Sequence, residues 1–204
     1  MSSRNSCRTK IVGLSGGIAS GKNFIAEIFA KKGAAIFDAD KEVHHLISDD
    51  PEVLAAIEKI FPESVIDQKI DRKTLAKVVF GDRKKLEKLE AILHPRVREN
   101  YRQFLDRSKK NNQKFVVLNI PLLLEAEGYD CDFVVAITAP IKLRKERYLA
   151  RLKNADPKLF DKIRAKQISD KERKSRADFV IKNDQPKEVI EQKIEAILRE
   201  ILAS

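Results

Sequence analysis

A glycine-rich loop between a strand and a helix is the strongest constraint on how this 204-residue chain can fold. Apolar residues at 11–14 predict a strand, and residues 24–29 after the loop have the apolar spacing of a helix. Glycines in this setting let consecutive N–H groups and the helix N-terminus face phosphate oxygens. Lys22 follows at the spacing that reaches the β- and γ-phosphates of a nucleotide.

The loop therefore predicts a nucleotide-phosphate site, and the alternative of a ligand-free glycine turn is disfavoured by the combined strand, spacing, lysine and helix. The residues expected to contact nucleotide are Gly17, Ile18, Ala19, Ser20, Gly21, Lys22 and Asn23.

Two asparagines depart from the usual metal site of such loops. Asn23 follows Lys22 where Ser or Thr normally supplies a hydroxyl to Mg²⁺. Its carbonyl is an acceptable oxygen ligand, so we predict Mg²⁺ at Asn23, directly or through a water, with weakened affinity. Asn119 ends a predicted strand where related proteins often present an Asp that organises the metal.

Strand-length apolar runs alternate with helical stretches, which predicts an α/β fold with a five-stranded parallel sheet and flanking helices in three layers. The predicted strands are 10–14, 34–37, 115–120, 133–138 and 179–181. Residues 40–112 form an insertion far longer than a crossover of about a dozen residues, and we expect it to be mostly helical. Its predicted helix starts are Asp50, Asp71 and Asp82. The chain is predicted to be one domain over 1–204.

Two carboxylates follow the second predicted strand, at Asp38 and Asp40. Ligands of a doubly wound sheet bind outside the carboxyl ends of its strands, so a carboxylate here can accept a proton from an attacking hydroxyl. Capping of the next helix is the competing interpretation, and it is stronger for Asp38 than for Asp40. We therefore predict Asp40 as the general base of a phosphoryl transfer.

The net charge of +10 lies almost entirely in one segment. Residues 141–176 carry 14 Lys and Arg against five Asp and Glu, whereas the rest of the chain carries 27 against 26. A short basic segment suits a few phosphates on a small ligand better than it suits a nucleic acid. We predict a helical lid at 141–176, with one helix from Pro140 to about Lys153 and a second from Asp156-Pro157 to about Lys171. Arg144, Arg147 and Arg151 are predicted on one face of the first helix, although a merely solvated charged face stays an alternative.

The cysteines and the apolar runs of the sequence mainly exclude possibilities. Cys7 and Cys131 have no ligand or redox spacing, which favours a reducing compartment and a cytoplasmic location. No apolar run approaches the roughly 18 residues of a membrane span, and residues 1–10 lack the apolar core of a secretory signal.

A terminal helix is predicted after Pro186, with an inward face comprising Val189, Ile190, Ile194, Ile197, Leu198 and Ile201.

Several motifs together resemble the dephospho-CoA kinase family, and they span residues 11–184 in order. Besides the loop and Asp38-Ala39-Asp40, they are Leu93-His94-Pro95-Arg96-Val97-Arg98, Ile120-Pro121-Leu122-Leu123-Leu124-Glu125 and residues 177–184. The resemblance implies a P-loop kinase that transfers the γ-phosphoryl group of ATP, with Mg²⁺, to the ribose 3′-hydroxyl of dephospho-CoA. It further implies that Asp40 is the base and that the insertion holds the CoA moiety.

The same resemblance places Arg147 beside adenine and Arg151 at phosphate, and it assigns substrate contacts to His94, Leu122 and Glu125. His94 is expected where a helix gives way to a turn before Pro95. The alternatives are another small-metabolite or nucleotide kinase, a nucleic-acid-binding P-loop protein, and a catalytically poor binder. We expect a monomer or a weak homo-oligomer.

Overall fold

A computed structural model describes residues 8–126, 128–151 and 156–204. Cys7 and the predicted end of the first lid helix near Lys153 lie outside these residues. The chain divides into two compact units. One contains the residues up to Phe37 and from Arg107 onward, and the other is Asp38–Asp106.

Five strands form a sheet in the order β2-β5-β1-β6-β7, and two more form an antiparallel hairpin. In chain order the strands are β1 (Lys10–Gly16), β2 (Ala35–Asp38), β3 (Val65–Ile66), β4 (Lys69–Ile70), β5 (Phe115–Asn119), β6 (Phe133–Thr138) and β7 (Phe179–Lys182). The register pairs Leu14 with Asn119 and Gly16 with Ile137 in parallel. The predicted five-stranded parallel sheet is confirmed, with bounds that differ by at most two residues.

Nine α-helices belong to the described residues. They are α1 (Lys22–Lys31), α2 (Ala39–Asp49), α3 (Pro51–Ile60), α4 (Arg72–Val79), α5 (Arg83–Lys110), α6 (Ile141–Arg151), α7 (Pro157–Ala165), α8 (Asp170–Ser175) and α9 (Lys187–Ala203). Each of these helices is too short or too polar to cross a bilayer.

The three helix starts that the sequence predicts in the insertion, at Asp50, Asp71 and Asp82, agree with the structure. Asp50 accepts hydrogen bonds from the N–H groups of Glu52 and Val53 and so caps α3. Asp71 caps α4 through Thr74, and Asp82 accepts from the N–H of Lys85 at the start of α5. Such side-chain caps pair N–H groups that have no partner within the helix.

The insertion also contains a hairpin that the sequence did not predict. Strands β3 and β4 are two residues each and are joined by Asp67 and Gln68, which both have positive φ, 49° and 58°. Turns of this kind usually contain Asn-Gly or Asp-Gly, and the missing glycine explains why no signal was visible.

The predicted turn at His94 is wrong. Helix α5 runs through this point for 28 residues, with Pro95 in its interior. Proline lacks an N–H and usually ends a helix, so a break here was the reasonable expectation. The apolar face of the helix continues on both sides, where Leu89, Leu93, Val97 and Tyr101 are buried, and packing of that face offsets the lost hydrogen bond.

Two further expectations need correction. The second helix of the predicted lid was expected to reach about Lys171, but α7 ends at Ala165 and α8 starts separately behind Ser169, whose hydroxyl accepts from the N–H of Glu172. In α9 the side chain of Val189 is 47% exposed, so it does not belong to the inward face.

The core of the first unit lies between the sheet and two helices. Side chains of β1, β5 and β6 pack with Ile25 and Phe29 of α1 and with Ile194 and Ile201 of α9, all buried. Of the other four residues predicted on the inward face of α9, Ile190, Ile197 and Leu198 are buried and Val189 is not. Close packing of this kind fixes β1 against α1 and therefore holds the loop between them.

Cys131 lies just before β6, and a Cβ at Gly13 of β1 would collide with its sulfur. Burial, reinforced by the charges of Asp132 and Asp130, raises the pKa of the Cys131 thiol to about 12. The thiol is therefore protonated at neutral pH.

Candidate functional site

The loop between β1 and α1 has the backbone shape that its glycines predict. Gly21 lies just before α1 in the left-handed region with φ 93°, and Ala19 has φ 55° although it carries a side chain. The N–H of Ser20 donates to the carbonyl of Gly17 at 3.0 Å. The loop therefore turns tightly and brings its N–H groups to the start of the helix.

Asn183, just after β7, fixes the loop from the other side. Its side-chain Nδ2 donates to the carbonyl of Ser20 at 2.8 Å, and a Cβ at Gly21 would collide with this amide. Its backbone carbonyl accepts from Nη2 of Arg147 at 2.9 Å. Residue 183 belonged to a recognised motif, but a role in bracing the loop was not predicted.

Arg144 does not face outward as a lid arginine. Its side chain is 2% exposed, and its Nε donates to the carbonyl of Ile18 at 2.8 Å. Its Nη1 pairs with the Asp170 carboxylate at 3.1 Å. Burial lowers the pKa of Arg144, while the Asp170 charge counteracts this shift. Arg144 thus braces the loop backbone, and neither the triphosphate role nor the solvated alternative applies to it.

Two further side chains from the basic segment contact the loop or the strand that leads into it. Gln167 accepts from the N–H of Ile18 at 2.9 Å. Arg173, 1% exposed, donates to the buried hydroxyl of Ser15 at 2.8 Å and to the carbonyl of Ile168. Part of the positive charge in segment 141–176 is therefore buried against the loop and Asp170, and it is not available to a ligand.

A cleft of about 470 Å³ opens beside the loop. Its lining includes the loop residues Ala19 and Gly21, the ring of Phe24, and the predicted nucleotide ligands Arg147 and Arg151. In this lining, Arg147 Nη1 is buried without a hydrogen-bond partner among the described residues. Ser20 Oγ in the loop and Arg173 Nε also lack such a partner, but neither residue lines the cleft. A buried donor is normally satisfied, so Arg147 Nη1 indicates that a polar ligand binds in the cleft.

Lys22 and the loop after β5 are joined by a hydrogen bond, since Lys22 Nζ donates to the carbonyl of Ile120 at 2.9 Å. Leu122, two residues on, has φ 53° and is 43% exposed. The carboxylate of Glu125 accepts from the N–H of Ile168 at 3.2 Å. The predicted substrate residues Leu122 and Glu125 thus belong to a loop that is held at both ends.

The two unusual asparagines are in contact. Nδ2 of Asn119, at the end of β5, donates to Oδ1 of Asn23 at 3.0 Å. Within the described residues, no three His, Cys, Asp or Glu side chains converge as metal ligands.

The carboxylates after β2 have different surroundings. Asp38 is the N-cap of α2 and accepts from the N–H of Lys41 at 3.2 Å, which is the capping role considered for it. Asp40 lies in the first turn of α2, is exposed, and its carboxylate has no hydrogen-bond or ion-pair partner in the described part of the chain. The Asp40 carboxylate is accordingly accessible to a ligand.

His94 is exposed on α5, and no hydrogen bond within the described residues holds its ring. His44 and His45 bond to Arg72 and Asp49 of their own unit.

The sequence model of the dephospho-CoA kinase family matches residues 10–188 of this chain. The dephospho-CoA kinase of Bartonella quintana is 38% identical over 194 residues, which are 95% of this chain and 98% of that protein. The dephospho-CoA kinase of Mesorhizobium japonicum is 39% identical over 192 residues, 94% and 96% of the two chains.

The chain is also similar to solved structures. TT1252 from Thermus thermophilus superposes with a TM-score of 0.78 at 30% identity, and dephospho-CoA kinase from Campylobacter jejuni with 0.67 at 28%; each match covers 95% of this chain and 98% of the other. Shikimate kinase from Bacteroides thetaiotaomicron, with a TM-score of 0.51 at 16% identity over 93% and 98% of the chains, shares the fold alone.

Proposed function

Since this chain belongs to the dephospho-CoA kinase family and is thus an ATP-dependent phosphotransferase of coenzyme A synthesis, we propose that Asp40 is its general base and that the cleft beside Phe24 holds the nucleotide. The acceptor is the ribose 3′-hydroxyl of dephospho-CoA. The observation that carries the nucleotide assignment is the buried guanidinium nitrogen Arg147 Nη1, which has no hydrogen-bond partner among the described residues and belongs to a residue lining the cleft beside the glycine-rich loop.

The loop binds the phosphates and the cleft binds the base. Backbone N–H groups of residues 17–23 and the N-terminus of α1 supply donors and a positive dipole end to the phosphate oxygens. Lys22 leaves the Ile120 carbonyl for the β- and γ-phosphates. Following the family resemblance, Arg147 stacks on adenine and Arg151 bonds to phosphate. Both residues line the cleft, whereas Arg144 is already committed to Ile18 and Asp170.

Asp40 accepts the proton of the attacking hydroxyl as that oxygen bonds to the γ-phosphorus and ADP leaves. Three facts support Asp40 for this role: it follows the carboxyl end of a parallel strand, it is exposed, and no partner in the described chain occupies its oxygens. Asp38 is less suitable because its oxygen is engaged as the cap of α2.

Asn23 is the residue that fits Mg²⁺. Its Oδ1 is a hard oxygen, the side chain is exposed directly after Lys22, and Mg²⁺ in kinases takes most of its other ligands from phosphates and water. When bound, the metal neutralises charge on the β- and γ-phosphates. One protein oxygen is consistent with this arrangement.

The remaining assignments are proposals of the same kind. Segment 141–176 acts as a lid that excludes water from the transferred group, and segment 40–112 holds the CoA moiety. His94, Leu122 and Glu125 contact dephospho-CoA, and the reaction takes place in the cytoplasm on a monomer or weak homo-oligomer.

The test is to incubate the purified chain with ATP, Mg²⁺ and dephospho-CoA, and to follow ADP together with the mass and position of the added phosphate. We expect phosphate at the ribose 3′-position only, with coenzyme A, AMP and shikimate inactive as acceptors. A folded, ATP-binding sample without turnover, or one that prefers a nucleoside monophosphate, would contradict the proposal.

A further inference from the structure

The contact between Asn119 and Asn23 joins a buried residue to an exposed one. Asn119 is 4% exposed and is held at the end of a fully buried strand, whereas Asn23 is exposed in the first turn of α1. Nδ2 of Asn119 donates to Oδ1 of Asn23 at 3.0 Å. The fixed member of the pair can therefore set the orientation of the accessible one.

An amide side chain needs such a partner in order to present its oxygen. Rotation about the last torsion of Asn is broad and roughly two-fold, so a free Asn23 would offer NH₂ or oxygen with little preference. Donation from Asn119 uses one lone pair of Oδ1 and leaves the second for a further ligand. The NH₂ group of Asn23 is turned away from Asn119 by the same bond.

The pair also carries no net charge. A hydroxyl and a carboxylate at these positions would bring a negative charge near the metal, whereas two amides bring only dipoles. The protein then contributes an oriented carbonyl to the cation, and the phosphates contribute the charge.

We propose that Asn119 is the positioning residue of the metal site, an inference that rests on the proposed function. Its hydrogen bond aims Oδ1 of Asn23 at the Mg²⁺ that accompanies ATP. The bond matters only when the metal is present. Nucleotide affinity in the absence of divalent cations does not depend on Asn119.

The experiment measures binding, not turnover. A non-hydrolysable ATP analogue is titrated calorimetrically into the chain in Mg²⁺ and in EDTA, and the ratio of the two affinities is the Mg²⁺ gain. Asn119→Ala is expected to lower this gain roughly fivefold, the effect of one hydrogen bond, with affinity in EDTA within twofold of wild type. Thr138→Val, at the end of β6 in the same sheet, is the matched control and leaves both affinities unchanged.

A double-mutant cycle distinguishes positioning from independent action. Asn23→Ala changes an exposed side chain, so it reports on the site even if the buried variant folds poorly. It should lower the Mg²⁺ gain at least as much as Asn119→Ala does, and Asn119→Ala should have no further effect in its background. Equal losses in Mg²⁺ and EDTA, additive effects, or an unchanged gain in Asn23→Ala would overturn the proposal. None of these affinity measurements requires that dephospho-CoA is phosphorylated, so failure of the acceptor assay is a separate result.

Discussion

Arg144 holds the carbonyl of Ile18 at 2.8 Å from its buried guanidinium, although the two residues are 126 positions apart in the chain. The same guanidinium pairs with Asp170. A charged side chain that is buried against the backbone of a phosphate loop fixes the shape of the loop before any ligand arrives. Preorganised N–H groups then bind phosphate without the entropic cost of ordering the loop.

Removal of this brace should weaken both the fold and the nucleotide site. Arg144→Ala leaves the Ile18 carbonyl and Asp170 without their partner, which costs about 2 kcal/mol in the free energy of unfolding. For a chain of this size the melting temperature should fall by about 4–8 °C. Lys142→Ala, on the exposed part of α6, is the control and should melt like wild type. Equal melting temperatures for the two variants would contradict the bracing role.

Gly17 should depend on the same arginine. A Cβ at Gly17 would collide with the Arg144 guanidinium, so Gly17→Ala is expected to weaken binding of an ATP analogue roughly tenfold. In the Arg144→Ala background the guanidinium is gone, and the added methyl should cost clearly less. Calorimetric affinities of the four proteins in the cycle provide the measurement, and strictly additive losses would refute the proposed collision.

Variants of the two carboxylates after β2 should differ in turnover number. Asp40→Asn removes the proton acceptor and is expected to lower kcat by roughly 10²- to 10⁴-fold without changing affinity for an ATP analogue. Asp38→Asn keeps an oxygen that can cap α2, since Asn and Asp are comparable N-caps, so it should stay near wild type in turnover. If only Asp38→Asn abolishes ADP formation, the roles are reversed.

The cleft arginines should act on different parts of the nucleotide. Arg147→Ala is expected to weaken ATP and AMP alike, by roughly tenfold, because it removes a cation from the face of adenine. Arg151→Ala should weaken ATP by a similar factor and leave AMP unaffected, and its effect should shrink at high salt. Calorimetric titration of both nucleotides provides the comparison. Equal effects of the two variants on AMP would contradict the assignment.

The hairpin turn offers a stability test away from the chemistry. Gln68 has φ 58°, which a residue with a side chain adopts at a cost of about 1 kcal/mol. Gln68→Gly should therefore raise the free energy of unfolding by up to about 1 kcal/mol in denaturant titration. Glu63→Gly, in the short 3₁₀ turn before the hairpin, is the control and should not stabilise the protein.

Local pattern was sufficient for the five strands of the parallel sheet, the caps of α3, α4 and α5, and the phosphate loop, since each is encoded within a few neighbouring residues. It was insufficient for the bracing contacts: Asn183 reaches Ser20 across 163 positions, and no spacing rule connects them. Helical spacing placed Arg144 and Arg151 on one face, but it could not tell that the first is buried and the second exposed. Val189 is a different case, because it lies about 100° around the helix from Ile190 and so falls off the buried stripe that begins there.

Pro95 shows how tertiary packing overrides a local signal. The sequence predicted that the helix ends there, but buried side chains on both sides of Pro95 outweigh one lost hydrogen bond.

The protonated thiol of Cys131 has a consequence for redox chemistry. Dephospho-CoA and its product both end in a thiol, and their oxidised forms are disulfides that exchange with any accessible thiolate. Burial raises the pKa of the Cys131 thiol to about 12, so its thiolate is scarce at neutral pH. Because only the thiolate attacks a disulfide, we expect Cys131 to exchange with these disulfides more slowly than an exposed cysteine of ordinary pKa does. Burial at this position therefore disfavours covalent capture of the enzyme by the molecule that it makes.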